Sequence, residues 1–307
     1  MHDRKFHIKG KRPWIFNPFK NSLDLDSAVK GSVNALAFTI YTPGKPFWHN
    51  TDATTHRIMD RYDQVIEECA GKVVHCNTAS ALQQAIAENR IASFLAVEGG
   101  HVLEGDLDNL HRFYERGLRM LTLTHFAPNG IADGTPIPYR PHKGLTDFGR
   151  RVIREMEQMG MMVDVAHCTD EAMYQVLESA TKPVIYSHGF LRRYWNYERN
   201  IPDDLVKAIA QHKGLIGVIF YPKYFGRAGN DISSIARNAR DIAEMVGPEH
   251  ICLGSDMDGG TYMPKGFVDA SDWPQVTQAL LNEGFSEDET EGILGRNFVN
   301  YFEHICG

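Results

Sequence analysis

The sequence lacks most of the features that would assign it to a specialised class. Its five cysteines, Cys69, Cys76, Cys168, Cys252 and Cys306, form no CxxC pair, and an odd number cannot all pair within one chain. A reducing compartment is expected. No run approaches the roughly 18 apolar residues of a membrane span, and the basic N-terminus has no apolar stretch behind it to make a signal peptide. A cytoplasmic protein with no membrane partner is the reading. Positive charge is in deficit, with 32 Lys and Arg against 39 Asp and Glu, a net charge of -7 and a pI near 6.0. That leaves no electrostatic footprint for nucleic acid, so the expected partner is a small molecule. There is no low-complexity tract, no domain-splitting linker and no compact metal motif such as HExxH.

What is present is an ordinary globular composition: 307 residues, 43% hydrophobic and 23% charged. An α/β barrel uses about 250 residues as one domain. From Ser32 onward, short β-branched runs alternate with amphipathic stretches, which predicts parallel strands joined by helical crossovers. The strand candidates are SVNALAFTIY, FLAVEGG, LRMLTLTH, MMVDVAH, PVIYSH, LIGVIFY and HICLGSDMDG, seven in all. KVVHCN is a weaker candidate, a minor strand or an eighth member. Thr146 is placed to cap a helix ending at Gly160, Thr169 to cap DEAMYQVLES, and Ser286 with Glu289 has capping-box spacing. The expectation is a single (β/α)8 barrel domain over residues 1–307, with residues 1–31 an irregular N-terminal segment and a long functional loop at 126–145.

Five of the seven runs end in a residue suited to metal binding or acid/base work: Glu98, His125, His167, His188 and Asp256. Taken singly, each reads as a satisfied buried polar side chain. Parallel strands of a barrel share one carboxyl face, however, so the five converge there if the strands are real. Imidazoles and carboxylates suit Zn2+, and a carboxylate such as Glu98 can bridge two ions roughly 3.5–4 Å apart. Such ions activate water and polarise a carbonyl, the usual route to cleaving an unactivated amide. The glycines after Glu98 and His188 permit a close ligand approach, or simply a tight β-to-α turn. Arg199 lies in YERNIPDD. Its guanidinium suits a substrate carboxylate, with a surface ion pair to Asp203 or Asp204 as the alternative.

The stretches AVEGGH, LTLTHFAPNGIAD, GLTDFGRRVIREMEQMGMMVDVAH, PVIYSHG, RNIPDDL, HICLGSDMDG and ILGRNFVNYF resemble, in order, those of the membrane (renal) dipeptidases, peptidase family M19. The resemblance runs from about Ser32 to the end of the chain. It implies a TIM-type barrel of the metal-dependent hydrolase kind that uses a metal-held hydroxide on the peptide bond of small dipeptides. By the same resemblance Glu98 bridges two zinc ions, and His167 and His188 hold one of them. Asp256 contacts the other and handles the proton of the attacking water. His125 binds substrate and steadies the oxyanion, Arg199 holds the terminal carboxylate, and relatives are often homodimers. Another small amide, such as an N-acyl amino acid, is the alternative substrate.

One departure matters. The family opens with a His-x-Asp pair that binds the second metal, and no such pair is present. His2 and Asp3 are adjacent, and neighbouring strand residues point to opposite faces. The readings are that Met1 is an internal methionine of a longer protein whose first strand lies upstream, or that this member has lost half of its site and is catalytically impaired. A substitute strand from residues 1–31, bringing His2 or His7 to the site, is a third. The second metal position is accordingly expected to be empty or weakly held.

Overall fold

The computed structural model describes residues 22–43 and 50–307. All the predicted strands form, with β3 starting three residues before its sequence run and β6 ending one residue past its own: β1 Ala35–Tyr41, β2 Val73–His75, β3 Ile91–Glu98, β4 Leu118–Thr122, β5 Met162–Asp164, β6 Ile185–Gly189, β7 Leu215–Val218 and β8 Ile251–Leu253. The helices are α1 Leu25–Lys30, α2 Thr51–Glu68, α3 Ala79–Ala87, α4 Leu107–Glu115, α5 Asp147–Met159, α6 Asp170–Ser179, α7 Asp203–Gln211, α8 Ile232–Val246, α9 Trp273–Asn282, α10 Glu287–Glu291 and α11 Asn297–Cys306. The ladders are parallel, which accounts for the continuous apolar runs: a strand covered on both faces has no reason to alternate.

The hydrogen-bonded path runs β1-β3-β4-β5-β6-β7-β8, with β2 paired to β3 off that path. The register explains the exception. β1 takes one edge of β3 from Ala92 to Glu98, while β2 takes Ile91 to Ser93 and β4 begins only at Leu95. KVVHCN is therefore a minor strand that fills the ladder before β4 starts.

The chain divides into two compact units. The first comprises, among the described residues, 34–43, 50–185 and 301–307. Its centre is β3, where Ala92, Leu95, Ala96 and Val97 are fully buried and Ile91 and Phe94 nearly so. Leu95, Val97, Ile91 and Phe94 each contribute roughly 1.5–3 kcal/mol relative to exposure. The second comprises 22–33 and 186–300, with Val218 of β7, Ile219 and Phe220 just after it, and Ile235 and Ala239 of α8 in its core.

The caps behave as the sequence predicts. Thr146 accepts from the Gly149 N–H, Thr169 from Ala172 and Ser286 from Glu289, and Gly160 ends α5 in the left-handed region at φ 73°. The expected irregular segment 1–31 needs a correction where it is described. Asp24 and Ser27 form a reciprocal capping box, and that is enough to start α1, whose six residues are too few to show a periodicity. His2, Asp3 and His7 lie outside the described residues. Among the described residues all five cysteines are free thiols, and no helix is long and apolar enough to cross a membrane.

Candidate metal centre

Glu98 is the last residue of β3, and His125 and His167 each follow three residues after the ends of β4 and β5. Because β4 lies between β3 and β5, adjacent strand ends deliver the three side chains to one place. Glu98 Oε1 lies 3.0 Å from His167 Nε2, and Glu98 Oε2 lies 3.8 Å from His125 Nε2. One donor atom from each residue falls within 4.8 Å of the others. Two imidazoles and a carboxylate at that spacing make a donor set that fits a zinc-type divalent cation.

The backbone around this cluster is shaped for it. His167 sits at φ 66°, a left-handed conformation that costs a non-glycine residue of the order of 1 kcal/mol or more and persists only where its surroundings enforce it. Those surroundings are visible. The buried Asp164 carboxylate accepts from Ala166 N–H at 3.0 Å and from Thr122 Oγ1 at 2.5 Å, and His167 O accepts from Thr135 N–H at 2.8 Å. Thr135 belongs to the long loop after β4, so that loop is tied to the His167 turn. Of the two glycines after Glu98, Gly99 lies at φ 106°, and a Cβ there would also run into the His101 ring. A tight turn into the short helical segment Gly100–Leu103 is what it serves.

Aromatic rings enclose the cluster. His125 stands 4.5 Å from Tyr41, 4.2 Å from Phe126 and 4.5 Å from His167, centroid to centroid. Sequence reasoning passed over Tyr41 because an aromatic at a strand end reads as core. Its register was the missing signal, since Tyr41 pairs opposite Glu98. Burial, and then the Glu98 charge, push the Tyr41 hydroxyl above its ordinary pKa, so it is a neutral hydrogen-bonding group at neutral pH.

His188, Arg199 and Asp256 belong to the second unit. His188 is 9% exposed within β6, with Nδ1 sharing a 2.7 Å hydrogen bond with Ser187 Oγ. Asp256 lies three residues past β8 at φ 54°, its carbonyl accepting from Thr261 Oγ1 at 2.6 Å. Gly254 lets the end of β8 pass close to β6: a Cβ there would collide with Ser187 O and stand 3.1 Å from His188 Cβ.

Arg199 is not a surface side chain. The side chain is 1% exposed, and Asp203 is engaged by Arg193 at 2.7 Å. Arg199 instead packs 5.6 Å from the Tyr224 ring centroid, donating to Tyr186 Oη at 3.3 Å and to His188 O at 3.4 Å. Burial pushes the Tyr224 phenol up to about 12 even though Arg199 opposes the rise.

A family model described as membrane dipeptidase (peptidase family M19) matches residues 16–305. Among solved structures, dipeptidase AC, a metallo peptidase of family M19, is 24% identical over 96% of this chain and 92% of its own, with a TM-score of 0.87. A metallo peptidase from Rhodobacter sphaeroides, liganded with a phosphinate mimic of the dipeptide L-Ala-D-Ala, is 24% identical over 93% of this chain and 91% of its own, TM-score 0.84. An amidohydrolase from Pseudomonas aeruginosa is 21% identical over 92% of each chain, TM-score 0.84. The structural likeness shows the α/β fold of TIM type expected from the strand pattern. With the family match spanning nearly the whole sequence, the chain belongs to the membrane dipeptidase family, peptidase family M19.

Proposed function

We propose that this protein is a zinc-dependent dipeptidase acting on small free dipeptides. The observation that carries the reading is the Glu98–His125–His167 cluster, in which three donors from three adjacent strand ends lie within 4.8 Å. Glu98 and His167 would hold the metal, and the family resemblance adds His188 and Asp256 as further ligands. When bound, zinc supplies Lewis-acid polarisation of the scissile carbonyl and a water acidic enough to react near neutral pH.

The remaining chemistry belongs to the side chains. Asp256 takes the proton of the attacking water and returns it to the leaving amine. His125, braced between Tyr41 and Phe126, donates to the oxygen that becomes negative as the carbonyl turns tetrahedral. Arg199, desolvated beneath Tyr224, reads the free carboxylate of the dipeptide, where exclusion of water strengthens a charge-assisted bond.

A second reading is a homologue with one weak metal position and reduced turnover. Two carboxylates without an imidazole bind zinc less well than a full ligand set. Zinc content and kinetics on purified protein decide between them, with dipeptides run against N-acyl amino acids. Two ions per chain with dipeptide turnover support the first reading. One ion with little turnover supports the second, and turnover of N-acyl amino acids alone would replace the substrate assignment.

A further inference from the structure

Five aromatic rings of the second unit form an unbroken run, of which the proposed chemistry uses only Tyr224. Trp195 stacks on Tyr197 with centroids 4.4 Å apart and planes 12° from parallel. Tyr197 meets Tyr224 at 5.6 Å, Tyr224 meets Tyr221 at 5.2 Å, and Tyr221 meets Tyr262 at 5.0 Å. Tyr224 at the middle of the run is buried, but the ends are open, with Trp195 37% and Tyr262 46% exposed.

A core cluster would close over its ends; this one presents them. The exposed end is also rigidly mounted. Asn200 Nδ2 donates to Trp195 O and Tyr224 O at 3.2 and 2.9 Å, and Arg192 Nε donates to Asn200 O at 2.8 Å. Tyr194 Oη donates to Asp241 at 2.8 Å, and Leu191 N–H to Asn238 Oδ1 at 3.0 Å. A loop braced at so many points holds Trp195 and Tyr197 in place before any ligand arrives, which removes most of the ordering cost of binding.

The position of the run is what ties it to substrate. At one end Trp195 precedes Arg199 by four residues, and the Arg199 guanidinium stands 5.6 Å from the Tyr224 centroid. At the other, Tyr262 follows Thr261, whose hydroxyl holds the Asp256 carbonyl at 2.6 Å. The rings thus bridge the segments carrying the proposed carboxylate reader and the proposed proton carrier.

We propose that the run Trp195–Tyr197–Tyr224–Tyr221–Tyr262 is the specificity surface for the side chain of the C-terminal substrate residue, selecting dipeptides in which that residue is aromatic or large and apolar. The inference rests on the dipeptidase reading above. Apolar surfaces discriminate a single methylene by roughly 10–200-fold, so a benzyl group set against hydrogen should gain at least about tenfold.

The test uses zinc-loaded full-length protein and two non-hydrolysable probes, the phosphinic analogues of Ala-Phe and Ala-Gly, titrated by calorimetry. The wild type is expected to bind the Ala-Phe analogue at least about tenfold more tightly. Trp195→Ala and Tyr262→Ala should each shrink that ratio severalfold, and Trp195→Phe should restore most of it at an unaltered melting temperature. Equal affinities in the wild type, binding of neither probe, or ratios unchanged in both alanine variants would overturn the inference. Turnover of Ala-Phe and Ala-Gly is measured in parallel. Its absence would count against the dipeptidase reading alone, because the binding ratio is read without catalysis.

Discussion

Glu98 and His167 stand 69 residues apart in sequence, yet their Oε1 and Nε2 atoms lie 3.0 Å apart, at the end of β3 and in the turn after β5. A carboxylate and an imidazole that are both mostly buried can share a proton or share a cation. In the proposed dipeptidase they share a cation, and His125 Nε2, 3.8 Å from the other carboxylate oxygen, is left to meet the substrate.

The first prediction follows from that geometry. His167→Ala should lower zinc content measured by inductively coupled plasma mass spectrometry to half of wild type or less, and Glu98→Gln should do so too by removing the charge. Unchanged zinc in both variants would remove the metal assignment from this cluster.

A ligand and a substrate reader should separate cleanly. His188→Ala is expected to lower zinc content, whereas Arg199→Ala should keep its zinc and lose about tenfold or more in kcat/KM on free dipeptides. The loss should disappear on C-terminally amidated dipeptides. An Arg199→Ala enzyme with the wild-type preference for the free carboxylate would remove the substrate-reading role from Arg199.

How much of this was legible in the sequence depends on the scale of the signal. Strands such as β3 were legible because eight successive residues, nearly all buried, leave an apolar run that ends in a carboxylate. The placing of Glu98, His125 and His167 followed from parallel strands sharing one end. Helix α1 was not legible, since six residues carry too little periodicity, nor was the π-helical segment Gly292–Arg296, which breaks the 3.6-residue period. The burial of Arg199 was not legible, because a charged residue beside Asp203 and Asp204 can equally lie at the surface, while packing against Tyr224 depends on a ring 25 positions away in sequence. The left-handed turn at His167 likewise depends on a tertiary contact, the grip of Thr135 on its carbonyl.

Acid should destabilise the fold in part through His75. Burial, and secondarily Arg119, lower its pKa against the weaker opposing pull of Asp63 and an Asn77 hydrogen bond, and Nδ1 shares a 2.7 Å hydrogen bond with Tyr62 Oη. In the unfolded chain the ring titrates near about 6.5. As pH falls through that value the unfolded chain takes up a proton that the folded protein resists, so stability drops until the depressed folded pKa is reached. The wild-type melting temperature should therefore fall between pH 7 and pH 5. His75→Gln, which keeps an acceptor for Tyr62, should fall less, with His56 and His101 sustaining the remaining slope because burial lowers them too. Identical pH slopes in the two proteins would exclude His75 as a contributor.

The most demanding prediction concerns Asp164, which touches no proposed substrate atom and acts through the turn that carries His167. Its carboxylate is fully buried and accepts from Thr122 Oγ1 at 2.5 Å and Ala166 N–H at 3.0 Å, pinning the turn to β4 on one side and to its own backbone on the other. Asp164→Ala strips both donors of this acceptor in a place with little water, at about 1–3 kcal/mol per stranded group. Unfolding in urea should show a loss of roughly 2–6 kcal/mol. The turn would then relax from φ 66°, since that conformation persists only where it is enforced, and His167 Nε2 would no longer be delivered to Glu98. Zinc affinity, measured by competition with a chromophoric chelator on protein that is still folded, should fall about tenfold or more. Asp164→Asn keeps one carbonyl oxygen to accept from Ala166 and should recover most of the zinc affinity while remaining less stable than wild type. A merely structural Asp164 would give the stability loss with wild-type zinc affinity in both variants. A positioning Asp164 gives an affinity loss in Asp164→Ala that Asp164→Asn rescues, and this separation of the two readouts is the outcome the turn geometry requires.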